Sequence, residues 1–543
     1  MPTITLNKTV FERLVGKKLP LDQLKDRISM LGTDLEKIEG NEIQVEIFPN
    51  RPDMLSEQGF ARAFSSFIGI KTGLRKYSTK SSGKKVIIEP SVKGIRPFTA
   101  CAIVKGLQLD EEKIREIIQI QEKLHITYGR NRKKAAIGVY PMEKITFPVR
   151  YKASKPENIS FQPLGSTKAM SALQILAQHK AGQEFGHLLE NLERFPYFID
   201  ANDEILSMPP IINSHRTGRV TKKTNDLFIE CSGFDFKTLS ICLNIIVTAL
   251  ADMGGSILTV DLQYEKKRTT PDLEPKKMKL NLPYINNRLG LDLSHSEASK
   301  LLGRMGFGME KNTVLIPSYR ADILHQVDFV EDIAIAYGYE NFTEEIPNVA
   351  TIGQENQVEK FQRKLQEICI GFGLLEVKNY HLLMESDLNQ KMNLNNKLIP
   401  LKNAVGDHNH LRNSLLPSLI KTLSENQHHE YPQNIFEIGR TFNISKSTET
   451  GVKESQLLSI ALCNEKADFT QVRQLLDALL SSLDVKGSVK ESTHASFIPG
   501  RMGTIMVNGK SVGIIGEIHP QVLTAWNLLM PVVVFELNIE KIM

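Results

Sequence analysis

Four carboxylates crowd into residues 317–339, PSYRADILHQVDFVEDIAIAYGY: Asp322, then Asp328, Glu331 and Asp332. On a helix starting near Asp328, third- and fourth-neighbour spacing puts Asp328, Glu331 and Asp332 on one face. Carboxylates this close repel, and a hard divalent cation with oxygen ligands, Mg2+ above all, is the usual remedy. The same residues also read as a capped helix without an ion. Asp328 and Glu331 have capping-box spacing, and acids in a first turn are favoured by the helix dipole. The pattern alone leaves both readings open. Val330, Ile333, Ala334 and Tyr337 form the buried stripe in either case. A second charged feature is GRNRKKAA, residues 129–136, whose cations suit a phosphate backbone or an ordinary surface turn. The chain has no GxxxxGK[ST] phosphate loop, no HExxH and no nucleophile-elbow serine.

The elements that must carry these groups divide a chain of 543 residues, too long for a single core. Residues 1–75 read as a small α/β domain. Residues 76–87, rich in Ser, Gly and Lys, read as a basic linker. Residues 88–268 form a larger domain, with strands near 98–104, 135–140 and 257–263 and helices near 110–124 and 236–253. Residues 269–348 form a compact unit holding the acid helix, and a charged, Pro-containing connector, 266–277, leads into it. Residues 349–543 open with an amphipathic helix at 358–371 and close with an apolar strand at 532–537. Helices alternating with antiparallel-type turns make the fold class α+β and multidomain.

The formal charge of +5, from 67 basic and 62 acidic side chains, is too small to argue for a polyanion partner without local clusters. Cys101, Cys231, Cys242, Cys369 and Cys463 are scattered and lack CxxC spacing, which predicts reduced thiols in a cytoplasmic protein and no zinc. The N-terminal residues lack an apolar core. The longest uncharged apolar run, 238–251, falls short of the roughly 18–20 residues that span a bilayer. We expect no membrane segment.

EIFPNRPDMLSEQGFARAF (46–64), LHITYGRNRKKAAIGVYPMEKI (124–145), LSMPPIINSHRTGRVT (206–221), the acid-helix segment, LRNSLLPSLI with FEIGRTF, and PGRMG with GEIHP follow one another along the chain. Together they resemble the phenylalanyl-tRNA synthetase β-subunit family, in its shorter archaeal and eukaryotic form. The resemblance implies an (αβ)2 heterotetramer in which the α subunit binds ATP and phenylalanine and charges tRNA(Phe). It implies a class II synthetase-like but noncatalytic domain at 349–543. Where such a fold would need Arg-x-Glu to hold ATP, this chain has Arg412, Asn413, Ser414. It implies a central editing domain, 88–268, that hydrolyses mischarged Tyr-tRNA(Phe). A hydrophobic pocket rejects an isostere with one extra hydroxyl poorly, so a second site is needed. Ser207, Glu230 and Ser232 fall on the editing-pocket positions, with Asn213 nearby as a fourth site residue, Glu230 selecting tyrosine and the serines positioning water or ester. The family's pattern also places Mg2+ at Asp322, Asp328, Glu331 and Asp332, as a structural ion near the α subunit. Tyr140 and Pro141 stand where relatives commonly have His-Asp, so the resemblance gives them no role. Two other readings follow from the same residues: a scaffold that binds the α subunit and tRNA with editing decayed, and an independent metal hydrolase built on the acids.

Overall fold

The computed structural model describes residues 2–346, 348 and 352–543. The chain forms two compact units, 1–346 and 347–543. The first begins with a three-stranded antiparallel sheet in the order Thr3–Asn7, Glu42–Glu46, Asp34–Glu39. Over it lies the helix Glu57–Phe67, capped by the Ser56 hydroxyl on Gly59 N. Its Phe60 and Phe64 rings pack on Phe11 at 5.6 and 5.3 Å between centroids.

A ten-stranded mixed sheet dominates this unit. Its spatial order is Ile212–Asn213, Ile205–Met208, Phe195–Ile199, Val149–Ser154, Thr79–Ile88, Ser256–Gln263, Phe98–Lys105, Leu227–Gly233 and Ala135–Pro141, and Lys267–Thr270 pairs with Ser256–Gln263. The uncharged run becomes the buried helix Phe236–Asp252, capped by Asp235 and packed on the sheet. No described helix is long and apolar enough to cross a membrane. All five cysteines are buried free thiols, as their spacing predicted.

The basic linker expected at 76–87 is instead mostly strand. Thr79–Ile88 pairs in parallel with both Ser256–Gln263 and Val149–Ser154. Its backbone bonds do not depend on side-chain type, and the polar side chains stay exposed while Val86 is buried. The connector 266–277 likewise contributes strand. Buried Thr270 donates to Cys101 O at 2.7 Å and accepts from Cys101 N at 3.0 Å.

A small sheet, in the order Lys276–Lys279, Thr313–Ile316, Gly308–Glu310, carries the helices Leu282–Leu289, His295–Arg304 and Gln326–Tyr337. The second unit is built on seven strands, in the order Leu375–Glu376, Gln433–Ile444, Val452–Cys463, Val532–Asn538, Lys510–Ile518, Phe497–Val507, Gly487–Glu491. All pairs are antiparallel except the first. The helices Gln357–Gly371 and Phe469–Ser482 bury one face of this sheet, and Leu416–Glu425 and Pro520–Ala525 bury the other. The architecture is the mixed α+β one that the alternation of helices and strands predicted.

Candidate active site

The first unit encloses a cavity of about 290 Å³ between the helix Glu111–Ile126, the strands Ala135–Pro141 and Leu227–Gly233, and the segment 207–220. Asp110 starts that helix by accepting from Lys113 N at 2.8 Å. Ser207, Asn213 and Glu230 all line the cavity. Ser207 and Asn213 face each other in a two-stranded ladder, while Glu230 stands opposite Gly138. Isoleucines and valines make up much of the remaining wall, so the polar groups form one end of an apolar pocket.

Ser232 departs from expectation. It lies on the same strand as Glu230 but outside the cavity lining, and its buried hydroxyl accepts from Arg96 Nε at 3.2 Å. Its carbonyl takes Arg96 Nη2 at 2.6 Å. Ser232 therefore anchors the Arg96 guanidinium, which faces Glu230 electrostatically.

Glu230 is 2% exposed. Burial pushes its carboxyl up to about 8, against the Tyr140 hydrogen bond and the Arg96 charge. At neutral pH it is mostly an uncharged acid that can donate as well as accept. Tyr140, which the sequence gave no role, is fully buried and donates towards Glu230 Oε1 at 3.1 Å and Asn213 Oδ1 at 3.3 Å. Glu230 Oε2 and Ser207 Oγ are buried without a hydrogen-bond partner among the described residues.

Two further groups in the wall went unread in the sequence. His125 accepts from Ile137 N at Nε2, 2.8 Å, so its Nδ1 carries the proton that goes to Glu122 at 3.2 Å. With both nitrogens engaged, and burial holding the ring neutral, His125 is no free base. Arg132 comes from the GRNRKK turn, where Arg130, Asn131 and Arg132 all have left-handed φ of 49, 51 and 63°. That turn brings Arg132 inward to donate to Ile211 O at 2.8 Å and Glu122 at 3.1 Å, tying the wall to the helix, while Arg130, Lys133 and Lys134 stay exposed. The chemistry on offer is recognition and orientation of a bound group, with no strong base.

The acid helix is arranged differently from the sequence reading. It runs Gln326–Tyr337, and its capping box pairs His325 with Asp328, not Asp328 with Glu331. Asp328 Oδ2 accepts from Leu324 N and His325 N at 2.6 and 2.7 Å. Asp328, Glu331 and Asp332 share one helical face, but it is unevenly covered: Asp332 is buried, Asp328 half-buried and Glu331 exposed. The buried stripe is Phe329, Ile333, Ala334, Ile335 and Ala336, with Val330 and Tyr337 only half-buried.

The reason is Arg320, 2% exposed, which grips both oxygens of Asp322 at 2.8 and 2.7 Å and reaches Asp332 at 2.7 Å. Burial opposes ionisation of Asp322, yet Arg320 and Arg51 hold its carboxyl below the usual range. Asp322, Asp328, Glu331 and Asp332 therefore do not fit direct coordination of one Mg2+, because a guanidinium engages Asp322 and Asp332, Asp328 caps the helix, and the four do not bring their oxygens together. Among the described residues, three ligand atoms of such residues come within 4.8 Å only at Asp34, Glu36 and Glu46.

In the second unit Arg412 is equally committed. It is 1% exposed, pairs with Glu437 at 2.7 Å and donates to Arg440 O at 3.0 Å. Ser414 donates to Glu536, whose carboxyl burial raises to about 7 against the bonds from Leu415 N and Ser414.

The tRNA synthetase B5 domain family matches residues 278–339, and the family described as phenylalanyl tRNA synthetase beta chain CLM domain matches 343–539. The phenylalanine–tRNA ligase beta subunit of Pyrococcus abyssi is 39% identical over the full length of both chains. That of Archaeoglobus fulgidus is 40% identical, over 99% of this chain and 98% of its own. The chain belongs to the phenylalanine–tRNA ligase β-subunit family. A solved N-terminal fragment of the Pyrococcus horikoshii phenylalanyl-tRNA synthetase β subunit superposes with a TM-score of 0.60 and 38% identity, covering 62% of this chain and all of the fragment. In this β-subunit frame the 290 Å³ cavity lies within the region expected to edit, and Arg412 within the CLM match.

Proposed function

We propose that this chain is the β subunit of a cytoplasmic phenylalanine–tRNA ligase, and that its cavity hydrolyses tyrosine esterified to tRNA(Phe). The α subunit, within an (αβ)2 assembly, would bind ATP and phenylalanine and make the ester. One observation carries the editing reading. Ser207, Asn213 and Glu230, carried on three different strands, line one largely apolar cavity. An aromatic acyl group fills the apolar part, and its phenol meets groups able to give and take one hydrogen bond each.

Water then adds to the ester carbonyl, the bond from carbonyl carbon to ribose oxygen breaks, and the ribose oxygen leaves with a proton. The pocket lacks a free base, so its contribution is orientation. The exposed cations Arg130, Lys133 and Lys134, on the turn that delivers Arg132, would hold tRNA phosphates. The domain at 349–543 would serve as a class II-like partner surface. Its Arg412 is spent on Glu437, which supports a noncatalytic role. Any Mg2+ requirement of the ligase would lie outside Asp322, Asp328, Glu331 and Asp332. A time course of Tyr-tRNA(Phe) deacylation by the α–β complex tests the proposal. Release of tyrosine above the uncatalysed rate is expected, and an intact ester would leave only the scaffold reading.

A further inference from the structure

Tyr140 lies behind the cavity wall that Asn213 and Glu230 form, outside the lining itself, on the strand Ala135–Pro141, with its ring tilted against Phe228 at 5.9 Å between centroids. Its hydroxyl has two acceptors in reach, Glu230 Oε1 at 3.1 Å and Asn213 Oδ1 at 3.3 Å. A phenol has one proton, so it serves these two alternately or shares it between them. The Ser207 hydroxyl lies beside it without meeting hydrogen-bond geometry.

The arrangement needs space that only glycine leaves. A Cβ at Gly138 would stand 2.2 Å from Tyr140 Oη and 2.5 Å from Glu230 Oε1. Gly138 is two residues before Tyr140 on its own strand and directly opposite Glu230 on the next. One backbone position without a side chain thus lets two polar groups from adjacent strands meet in the sheet interior.

We propose that Tyr140 is the specificity-determining positioning residue of this cavity: by engaging Oε1 of Glu230 and Oδ1 of Asn213, its hydroxyl leaves Oε2 of Glu230 and Oγ of Ser207 for the hydroxyl of an incoming phenolic acyl group. The inference rests on the editing reading and names the device behind its selectivity. Both atoms are buried and unpartnered, and burial of an unpaired polar atom is costly. A tyrosyl group pairs them. A phenylalanyl group has nothing to offer and leaves both unpaired, which disfavours its entry. With the Tyr140 hydroxyl removed, Glu230 could satisfy itself on Asn213 or turn either oxygen to the ligand, and the distinction would blur.

The test uses the α–β complex with Tyr140→Phe, which keeps the ring and removes only the hydroxyl. Hydrolysis of Tyr-tRNA(Phe) and Phe-tRNA(Phe) is measured as kcat and KM. The ratio of the two kcat/KM values should fall roughly tenfold, mostly through KM for the tyrosyl ester, the scale of one neutral hydrogen bond. An unchanged ratio overturns the proposal. So does a higher ratio, which would mean that Tyr140 competes with the substrate's phenol for Glu230.

In a Glu230→Gln background, adding Tyr140→Phe should cost less than about twofold more, because both act through one carboxyl. Fully additive losses overturn the coupling. Should Tyr140→Phe fail to fold, 3-fluorotyrosine at 140, a stronger donor of the same shape, is expected to shift the ratio, and no shift overturns the proposal. A wild-type complex that leaves Tyr-tRNA(Phe) intact removes the editing reading itself. Wild-type hydrolysis with an unaltered Tyr140→Phe ratio removes this inference alone.

Discussion

Glu230 is a carboxyl whose surroundings favour its proton. In the unfolded chain it ionises near the ordinary 4.5, while in the fold it holds the proton up to about 8. Between those values the folded state binds more protons than the unfolded one, so the contribution of Glu230 to stability falls as pH rises and levels off above 8. Glu230→Gln cannot ionise. Its melting temperature should therefore gain on the wild type as pH climbs from 5 to about 8 and hold that lead beyond, as thermal unfolding at stepped pH would show. A lead that shrinks with rising pH would mean the carboxyl is charged in the fold. Ser232→Ala should behave as an anchor lost from Arg96, costing about 1 kcal/mol of stability, with selectivity for the tyrosyl ester retained; a collapse of selectivity in denaturation-checked protein would restore Ser232 to the site. Sequence patterns pointed to Ser207, Asn213 and Glu230 through family resemblance, and the fold brought them together. They missed Tyr140, because a tyrosine in a fully buried strand reads as core until a partner for its hydroxyl is known.

At the scale of elements, the turn 129–136 and the acid helix each resolve an ambiguity that sequence left open. The turn does two jobs: Arg132 points inward, while Arg130, Lys133 and Lys134 face solvent. Replacing those three with Ala or Gln should raise KM for tRNA substrates and flatten its salt dependence, since each phosphate contact adds a slope of nearly one in log–log terms. An unaltered salt slope would make the turn an ordinary surface loop. The acid helix could not be read correctly because its counter-charge, Arg320, precedes it and folds back beneath it. Arg320→Met should cost about 3–5 kcal/mol by stranding buried Asp322 and Asp332. Chelator should leave the melting temperature of the chain unchanged; a drop of several degrees on adding EDTA would reinstate an ion at these acids. Strand 79–88 escaped notice for a related reason: its polar, flexible-looking side chains say nothing of the two parallel neighbours that hold its backbone.

Across the whole molecule, long periodic elements were the legible part. The helices at 236–252 and 357–371 and the closing strand at 532–538 stand within a residue or two of their expected places. Apolar periodicity is a local property, and each of these segments is long enough to show it. Sheet order was illegible, since the ten strands of the large sheet run 212, 205, 195, 149, 79, 256, 98, 227, 135 by first residue, with Lys267–Thr270 beside the strand that starts at 256. In that order the strands of Ser207 and Glu230 stand six places apart, and the Tyr140–Asn213 hydrogen bond joins the two end strands of the sheet beside the cavity. The second unit has turned the Arg412 position inward to Glu437, consistent with a subunit that supports synthesis elsewhere and checks its product.

The central claim is that this cavity recognises the phenol of tyrosine on tRNA(Phe). Deacylation of Tyr-tRNA(Phe) against Phe-tRNA(Phe) by the α–β complex, wild type beside Glu230→Ala, measures it most directly. Preferential release of tyrosine by the wild type and a roughly ten- to hundredfold loss of that preference in the variant are expected. Equal rates for wild type and variant, or no release by either, would contradict it.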